Sequence, residues 1–162
     1  LVRTLRRLAA IPAEGKWPND ILCDGRKLAG MLSEMEASEG VVNCVNIGIG
    51  VNINNCPAER ESRAVSLKEL TGCRFSRREV LQGFLEFFEA DYSAGDFGGA
   101  VLRWKKYAGS LNREVTVVTR RETVSGTAED VDTDGALLLR LPDGSRRKVI
   151  YGDCFYRDSN NG

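Results

Sequence analysis

The last third of the chain carries the pattern that most restricts the fold, a series of short strands separated by tight turns. From about residue 110, five short strand-like runs follow one another within ~45 residues, with no helical pattern among them. The pairs Asp134-Gly135 and Asp143-Gly144 are typical of two-residue hairpin turns. The runs are REVTVVT, TVSGTAEDVD, GALLLRL, SRRKVIY and DCFYR. This series predicts a small β-barrel domain over residues 110–162.

The first part of the chain has a different pattern. Residues 1–10 place apolar side chains at helical spacing and stop before Pro12, which predicts a helix. The run ILCDGRKLAGMLSEMEA predicts a hairpin that turns at Asp24-Gly25. The run VVNCVNIGIGVNI is long and β-branched, so we expect a strand in the middle of a sheet.

Three helical segments follow a polar loop at residues 55–64. Ser66 is placed to cap a short helix, Ser76 begins a longer one, and a third segment ends near Ala108. The apolar side chains of the second helix are expected to pack in a core, as is Trp104. They are Val80, Leu81, Phe84, Leu85, Phe87 and Phe88. The sequence therefore predicts an α+β fold, with a mixed sheet and helices over residues 1–109 before the small barrel.

Composition excludes several classes of function. Lys plus Arg and Asp plus Glu both number 23, so nothing in the net charge favours nucleic acid. The chain has no histidine, which excludes His-based triads and an imidazole general base. Its five widely spaced cysteines include no C-x-x-C pair and favour reduced thiols in a cytoplasmic protein. No apolar run is long enough to span a membrane. Because the chain starts inside a helical pattern without Met, we expect a portion of a longer protein.

The stretch GKWPNDILCDGRKLAG, at residues 15–30, concentrates groups that suit an anionic ligand. Gly30 lacks a side chain, as do Gly48 and Gly50 on the next predicted strand, so a flat ligand can approach the backbone there. Lys27 is placed to neutralise a phosphate or a developing oxyanion. The chemistry alone indicates a nucleotide or adenylate pocket, although a glycine-rich strand is also a packing device.

The turn before this hairpin adds polar and aromatic groups. Asn19 and Asp20 follow Pro18 and offer oxygen ligands for Mg²⁺ or partners for a ribose. Trp17 offers a flat face for stacking. The alternatives are structural: Asp20 as a turn cap, Trp17 as a core aromatic, and Asn52 paired with a neighbouring loop.

The chain resembles the central block of the biotin-protein ligases. The resemblance is carried by three motifs that follow one another in the family's order, KWPNDI, GRKLAGMLSEME and VNIGIGVNIN. The resemblance extends to the chain end, where DTDGALLLRLPDG is similar to the family's SH3-like domain. It implies a class II synthetase-like catalytic core, the cofactors biotin, ATP and Mg²⁺, and transfer of biotin to a lysine of a biotin carboxyl carrier protein. It further implies that Lys27 stabilises charge in both half-reactions and that Asp20 polarises the accepting lysine or holds Mg²⁺. The implied binding residues are Lys16, Trp17, Asn19, Lys27, Gly30, Gly48, Gly50 and Asn52.

The family's upstream glycine- and arginine-rich loop, with the residues that bind the biotin ureido ring, has no counterpart in this sequence. We therefore expect a C-terminal portion of a ligase, which does not make biotinyl-adenylate alone. Two further features are left open by the sequence. One is a DNA-binding domain upstream, and the other is a homodimer formed through a sheet edge near residues 41–53. Two other functions stay open: a non-catalytic protein-binding module or degenerate relative, and a lipoate-ligase-like enzyme.

Overall fold

The computed structural model describes residues 1–59, 61–96 and 98–157. Arg60 of the predicted loop and residues 158–162 of the predicted second domain lie outside the described residues. The helices are α1 (Val2–Ala9), α2 (Leu67–Thr71), α3 (Arg77–Ser93) and α4 (Ala100–Lys105), with a 3-10 turn at Pro57–Glu59. The strands are β1 (Glu14–Lys16), β2 (Asp20–Cys23), β3 (Arg26–Ser38), β4 (Val41–Val51), β5 (Glu114–Val118), β6 (Thr123–Val131), β7 (Leu137–Arg140), β8 (Arg146–Val149) and β9 (Asp153–Tyr156).

These elements form two compact units. Unit 1 contains Leu1–Ala13 and Asn19–Phe87, and unit 2 contains Glu14–Pro18 and Phe88–Gly162. The short segment around β1 therefore belongs to the same unit as the C-terminal strands. The mixture of helices and antiparallel sheets confirms the predicted α+β class.

The strands of unit 1 follow the predicted hairpin. β2 pairs antiparallel with β3, and β3 pairs antiparallel with β4. The chain turns at Asp24 and Gly25, where both φ angles are positive, at 50° and 71°. A second turn at Gly40 joins β3 to β4, as the sequence predicts. The hairpin therefore forms where its turn residues permit left-handed backbone.

The core of unit 1 lies where α1 and α2 pack against β2 and the first residues of β3. Its fully buried side chains include Leu5, Leu28 and Leu67. Ser66 caps α2, as predicted, and the cap is reciprocal, since the Glu69 side chain in turn accepts from the Ser66 N–H. The buried end of the hairpin is thus held by helices, while its far end extends beyond them.

Two predictions for the first part of the chain are wrong. β4 is not a central strand: it stands last in the order of its sheet, and residues 41–50 are exposed. The apolar face of α3 is also not a core face, since Val80 and Gly83 are its only buried residues among those described. Leu81, Leu85 and Phe88 are 58%, 48% and 47% exposed. Apolar patterning identifies a face that can be buried, but it does not identify the partner that covers it.

Unit 2 contains the five predicted C-terminal strands, which are confirmed. They form an antiparallel sheet in the order β8-β7-β6-β5-β9, called the C-terminal sheet below. Val115, Val117, Leu137 and Leu139 are fully buried in its core, and Trp104 packs against that core as predicted. The basic residues of the end strand β8 are paired with carboxylates: Arg146 with Glu129, Arg147 with Glu122, and Lys148 with Asp132 and Asp134. These pairs are consistent with a strand edge protected by charge.

No helix within the described residues is both long and apolar enough to cross a membrane. All five cysteines lie within the described residues, and none of them forms a disulfide. Cys23 and Cys154 are buried, whereas the other three are exposed.

Candidate functional site

The β2–β3 hairpin of unit 1 brings Lys27 and Asp20 together. Asp20 lies across from Gly30, and a bulge between Ile21 and Leu22 shifts the register toward the turn. The Lys27 Nζ lies 3.1 Å from Asp20 Oδ1, which makes an ion pair. The lysine side chain is 34% exposed and the aspartate side chain 16% exposed. The lysine is therefore the more accessible member of the pair.

Backbone without side chains lies beside this ion pair. Gly30 is the cross-strand partner of Gly50, and Gly48 is the partner of Leu32 two positions along the same face. A side chain at Gly30 would place its Cβ 3.2 Å from both Asp20 Oδ1 and Lys27 Cε. A Cβ at Gly48 or Gly50 would meet only a carbonyl oxygen, at 3.8 Å or 3.9 Å. The glycines therefore leave backbone without side chains next to Lys27, with Leu32 on the same face two positions farther along.

The backbone of Lys27 is fixed by a neighbouring segment. Its N–H donates to the Arg63 carbonyl at 2.8 Å, and its carbonyl accepts from the Val65 N–H at 2.9 Å. Arg63 lies in the stretch that the sequence predicts as a loop, and the adjacent Ala64 forms a parallel bridge with Lys27. No local sequence signal identifies this contact, since it joins residues more than thirty positions apart.

Asn52 lies directly after β4, and its groups bind neighbouring chain segments. Its N–H donates to the Leu28 carbonyl, and its carbonyl accepts from the Leu67 N–H. Its side-chain oxygen accepts from Asn55 Nδ2 at 3.0 Å. Pairing with a neighbouring loop is thus the alternative that the geometry supports for Asn52, and its role in binding adenine stays a prediction.

Asn19 attaches the turn before β2 to β3. Its carbonyl accepts from the Met31 N–H at 2.9 Å, and its side-chain amide donates to the Met31 carbonyl. Asn19, the residue directly before Asp20, is therefore held against β3.

Lys16 and Trp17 belong to unit 2, whereas the other predicted residues belong to unit 1. Trp17 is 3% exposed and belongs to the core of the C-terminal sheet, where its Nε1 donates to the Gly135 carbonyl at 2.9 Å. Lys16 Nζ lies over the Phe155 ring, 5.9 Å from its centroid. The core contacts account for the burial of Trp17, and its place in a ligand pocket stays a prediction. Unit 1 holds the other predicted residues, Asn19, Asp20, Lys27, Gly30, Gly48, Gly50 and Asn52.

The described residues contain no cluster of side chains that would hold a metal ion without further ligands. No group of three or more Cys, Asp or Glu side chains within residues 1–59, 61–96 and 98–157 is arranged to hold an ion. Asp20, the predicted Mg²⁺ ligand, already faces the Lys27 ammonium. The ion pair engages one carboxylate oxygen of Asp20, and the role of Asp20 as an Mg²⁺ ligand stays a prediction, because Mg²⁺ is commonly held by one or two carboxylates together with substrate phosphates.

In chemical terms the arrangement suits an anion that lies flat on the sheet. One ammonium supplies charge, the neighbouring carboxylate keeps that ammonium oriented, and the glycine face admits a planar group. No histidine is present to act as a base, so the site favours reactions that need charge stabilisation more than proton abstraction.

Comparison with known families gives two matches along the chain. Residues 1–52 match the model of the biotin/lipoate A/B protein ligase family. Residues 110–157 match the biotin protein ligase C terminal domain. The second match begins next to the predicted boundary at Gly109, whereas the compact units divide between Phe87 and Phe88, so that boundary stays a prediction.

Individual relatives agree with these matches. The bifunctional ligase/repressor BirA of Bacillus spizizenii is 36% identical over 154 residues, which cover 91% of this chain and 47% of that protein. The biotin--[acetyl-CoA-carboxylase] ligase of Paracoccus denitrificans is 34% identical over 143 residues, covering 83% of this chain and 59% of that protein. The chain thus spans about half the length of the curated relatives it matches.

A solved structure has the same fold. The biotin protein ligase from Aquifex aeolicus, in complex with biotin and ATP, matches with a TM-score of 0.77 and 25% identity. The match covers 98% of this chain and 67% of that one. Together with the motifs of the hairpin, these matches show that the chain belongs to the biotin-protein ligase family.

Proposed function

We propose that the protein to which this chain belongs is an ATP-dependent biotin-protein ligase. It joins biotin to the adenylyl group of ATP and then passes biotin to a lysine of a biotin carboxyl carrier protein. The observation that carries this proposal is the Lys27 ammonium, 3.1 Å from Asp20 and beside the bare backbone of Gly30.

In the first half-reaction a biotin carboxylate oxygen attacks the α-phosphorus of ATP and pyrophosphate leaves. Both the attacking and the attacked groups are anionic, so their approach requires positive charge between them. Lys27 supplies that charge from a strand whose backbone is fixed by Arg63 and Val65. Asp20 keeps the ammonium oriented and reduces the number of arrangements open to it.

In the second half-reaction the amine of the carrier lysine attacks the biotinyl carbonyl, a C–N bond forms and AMP leaves. The leaving group is a phosphate, and Lys27 again stabilises its negative charge. We propose that Asp20 also attracts the incoming amine, because its carboxylate lies at the same place on the sheet. The proton released by the amine goes to solvent or to the departing phosphate.

The remaining predicted residues are assigned to binding. We propose that Gly48 and Gly50 let the biotinyl-adenylate lie against the sheet, and that Lys16, Trp17, Asn19 and Asn52 contribute to the nucleotide site. Mg²⁺ normally accompanies the phosphates of ATP, and we propose Asp20 as the residue of this chain that would help to hold it. We propose a cytoplasmic location for the protein, which is supported by five cysteines that form no disulfide with one another.

The proposal is tested by comparing Lys27→Ala with Arg26→Ala in the full-length protein. Both remove a cation from the start of β3, but Arg26 is exposed at the hairpin turn and is not part of the Asp20 ion pair. Lys27→Ala is expected to lower carrier biotinylation by about 100-fold, the scale reported for loss of one charge-stabilising group, while Arg26→Ala keeps it within about 2-fold. Biotin transfer is measured by the mass of the carrier protein. A normal rate in Lys27→Ala contradicts the assignment.

The same assay separates the alternatives. The family model that matches residues 1–52 covers ligases for both biotin and lipoate, so lipoic acid replaces biotin in a parallel reaction. Faster transfer of lipoate than of biotin would favour the lipoate-ligase-like enzyme. Binding of the carrier protein without transfer of either acid would favour a non-catalytic module.

A further inference from the structure

Asn52 lies beside the strand that carries Lys27, and its backbone is fixed on both sides by residues of unit 1. Its N–H donates at 2.9 Å to the carbonyl of Leu28, the residue after Lys27. Its carbonyl accepts at 3.0 Å from the N–H of Leu67, the first residue of α2. The backbone at Asn52 therefore has little freedom to move relative to Lys27.

The side chain of Asn52 lies on the same side of the sheet as the glycines of the candidate site. Val51 packs against the core of unit 1, and Ile53 is buried in it. Because side chains alternate along an extended strand, Asn52 faces away from this core, on the side of Gly50 and Gly48. The amide group of Asn52 therefore borders the face that we assign to the biotinyl-adenylate.

The turn that follows Asn52 is held by backbone and side-chain bonds. The Ile53 carbonyl accepts from the Lys68 N–H at 2.9 Å. Asn54 Nδ2 donates to the Phe75 carbonyl at 2.8 Å, and Asn54 Oδ1 accepts from the Phe75 N–H at 3.0 Å. The next residue, Asn55, is therefore presented to Asn52 from a backbone that is tied down on its N-terminal side.

The hydrogen bond between the two amides has a defined direction. Asn55 Nδ2 donates to Asn52 Oδ1 at 3.0 Å. A carboxamide carries its oxygen and its NH₂ on opposite sides of one planar group, so a partner that holds the oxygen directs the NH₂ the other way. Within the described part of the chain, Asn52 Nδ2 donates to no other residue. Asn52 thus offers N–H donors to a ligand on the site face.

The direction of this amide determines which ligand group it recognises. An amide that presents its NH₂ selects a hydrogen-bond acceptor. In adenine the ring nitrogens N1, N3 and N7 are acceptors, whereas the exocyclic amino group is a donor. The arrangement therefore suits a ring nitrogen of the base and not its amino group.

We infer that Asn55 is a positioning residue of the candidate site: it orients the Asn52 amide so that the NH₂ group donates to a ring nitrogen of adenine. This inference rests on the proposed function, because it takes the ligand beside Asn52 to be ATP. A role of Asn55 in holding the turn alone would change the binding of every nucleotide equally. A role in orientation changes the discrimination between a ring nitrogen and a C–H group at the same place.

The test uses 1-deaza-ATP, 3-deaza-ATP and 7-deaza-ATP, in each of which a C–H group replaces one ring nitrogen. Their phosphates carry the same charge as those of ATP, so the ratio of the two dissociation constants isolates the contact with the base. Titration calorimetry on the full-length protein measures this ratio without turnover. The wild type is expected to bind one of the three analogues about 5-fold more weakly than ATP, the scale of one neutral hydrogen bond.

The variants change the direction of the amide or remove it. Asn55→Asp reverses the Asn52 amide, because a carboxylate accepts only and takes the NH₂ group as its donor. The preference for ATP is expected to fall below about 2-fold in Asn55→Asp and in Asn52→Ala, which removes the donor. Asn43→Asp is the matched control: it makes the same change at an exposed residue at the other end of β4 and should keep the preference.

Two results overturn the inference. One is a wild type that binds all three analogues within about 2-fold of ATP, and the other is a preference of about 5-fold that persists in Asn55→Asp. Both leave the proposed function in place when biotin is transferred and the transfer depends on Lys27. A wild type that binds no ATP rejects the proposed function and the inference together. A wild type that shows the expected preferences but transfers no biotin rejects the proposed function alone.

Discussion

Gly30 is the residue at which the candidate site has the least room. A Cβ there would lie 3.2 Å from one oxygen of Asp20 and 3.2 Å from Lys27 Cε. Both neighbours are ends of side chains, which can move by a few tenths of an ångström without unfolding the sheet. A substitution at Gly30 is therefore expected to disturb the Asp20–Lys27 ion pair more than the stability of the fold.

We predict that Gly30→Ala lowers ligase activity about 10-fold, because the added methyl group pushes Asp20 and Lys27 apart. The free energy of unfolding should change by less than about 1 kcal/mol. Gly98→Ala is the control, since a Cβ there would meet nothing within 4 Å. The two variants are compared by steady-state kinetics and urea unfolding, and full activity in Gly30→Ala would show that the glycine has no part in the site.

At the scale of elements, sequence patterns predict those features of the fold that depend only on residues close together in the chain. The Asp24-Gly25 turn and the Ser66 cap both appear where sequence patterns place them, because each depends on residues within four positions. The exposure of β4 and the contact of Trp17 with Ser110 were not predictable, since each depends on residues far along the chain. The same limit applies to the candidate site: Lys27 and Gly30 follow from one hairpin, whereas the Arg63 contact does not.

The caps of α2 and α3 differ in burial, which allows a matched comparison. Ser66 is fully buried, its hydroxyl accepts from the Glu69 N–H, and the Glu69 carboxylate accepts from the Ser66 N–H. The Ser76 hydroxyl accepts from the Glu79 N–H at 3.3 Å in an exposed position. The buried cap is therefore the one whose loss leaves an amide without an acceptor.

We predict that Ser66→Ala lowers the free energy of unfolding by about 1 to 2 kcal/mol and Ser76→Ala by about 0.5 kcal/mol. Chemical denaturation of both variants measures the difference. Equal losses would mean that burial of the cap does not matter for α2.

At the scale of the whole molecule, the β3–β4 hairpin separates two kinds of surface. One face carries Gly30, Gly50 and Gly48 beside the candidate site. The opposite face carries an exposed apolar strip. It consists of four side chains from alternate positions of the two paired strands, which lie on the same face of the hairpin. They are Met35, Val45, Ile47 and Ile49, which are 65%, 53%, 52% and 38% exposed. A continuous apolar strip of this kind favours burial against another surface.

We predict that the isolated 162-residue chain associates in solution through this strip and the neighbouring edge of β4. The formal net charge is zero, so no long-range repulsion opposes contact between copies. The double variant Val45→Lys with Ile47→Lys places two like charges on the strip and should shift the chain to monomer. Leu102→Lys on α4 removes another exposed apolar residue, 64% exposed, and should leave association unchanged. Sedimentation velocity over a range of concentrations measures the result. A wild-type chain that stays monomeric throughout that range would show that the strip is not a surface for self-association.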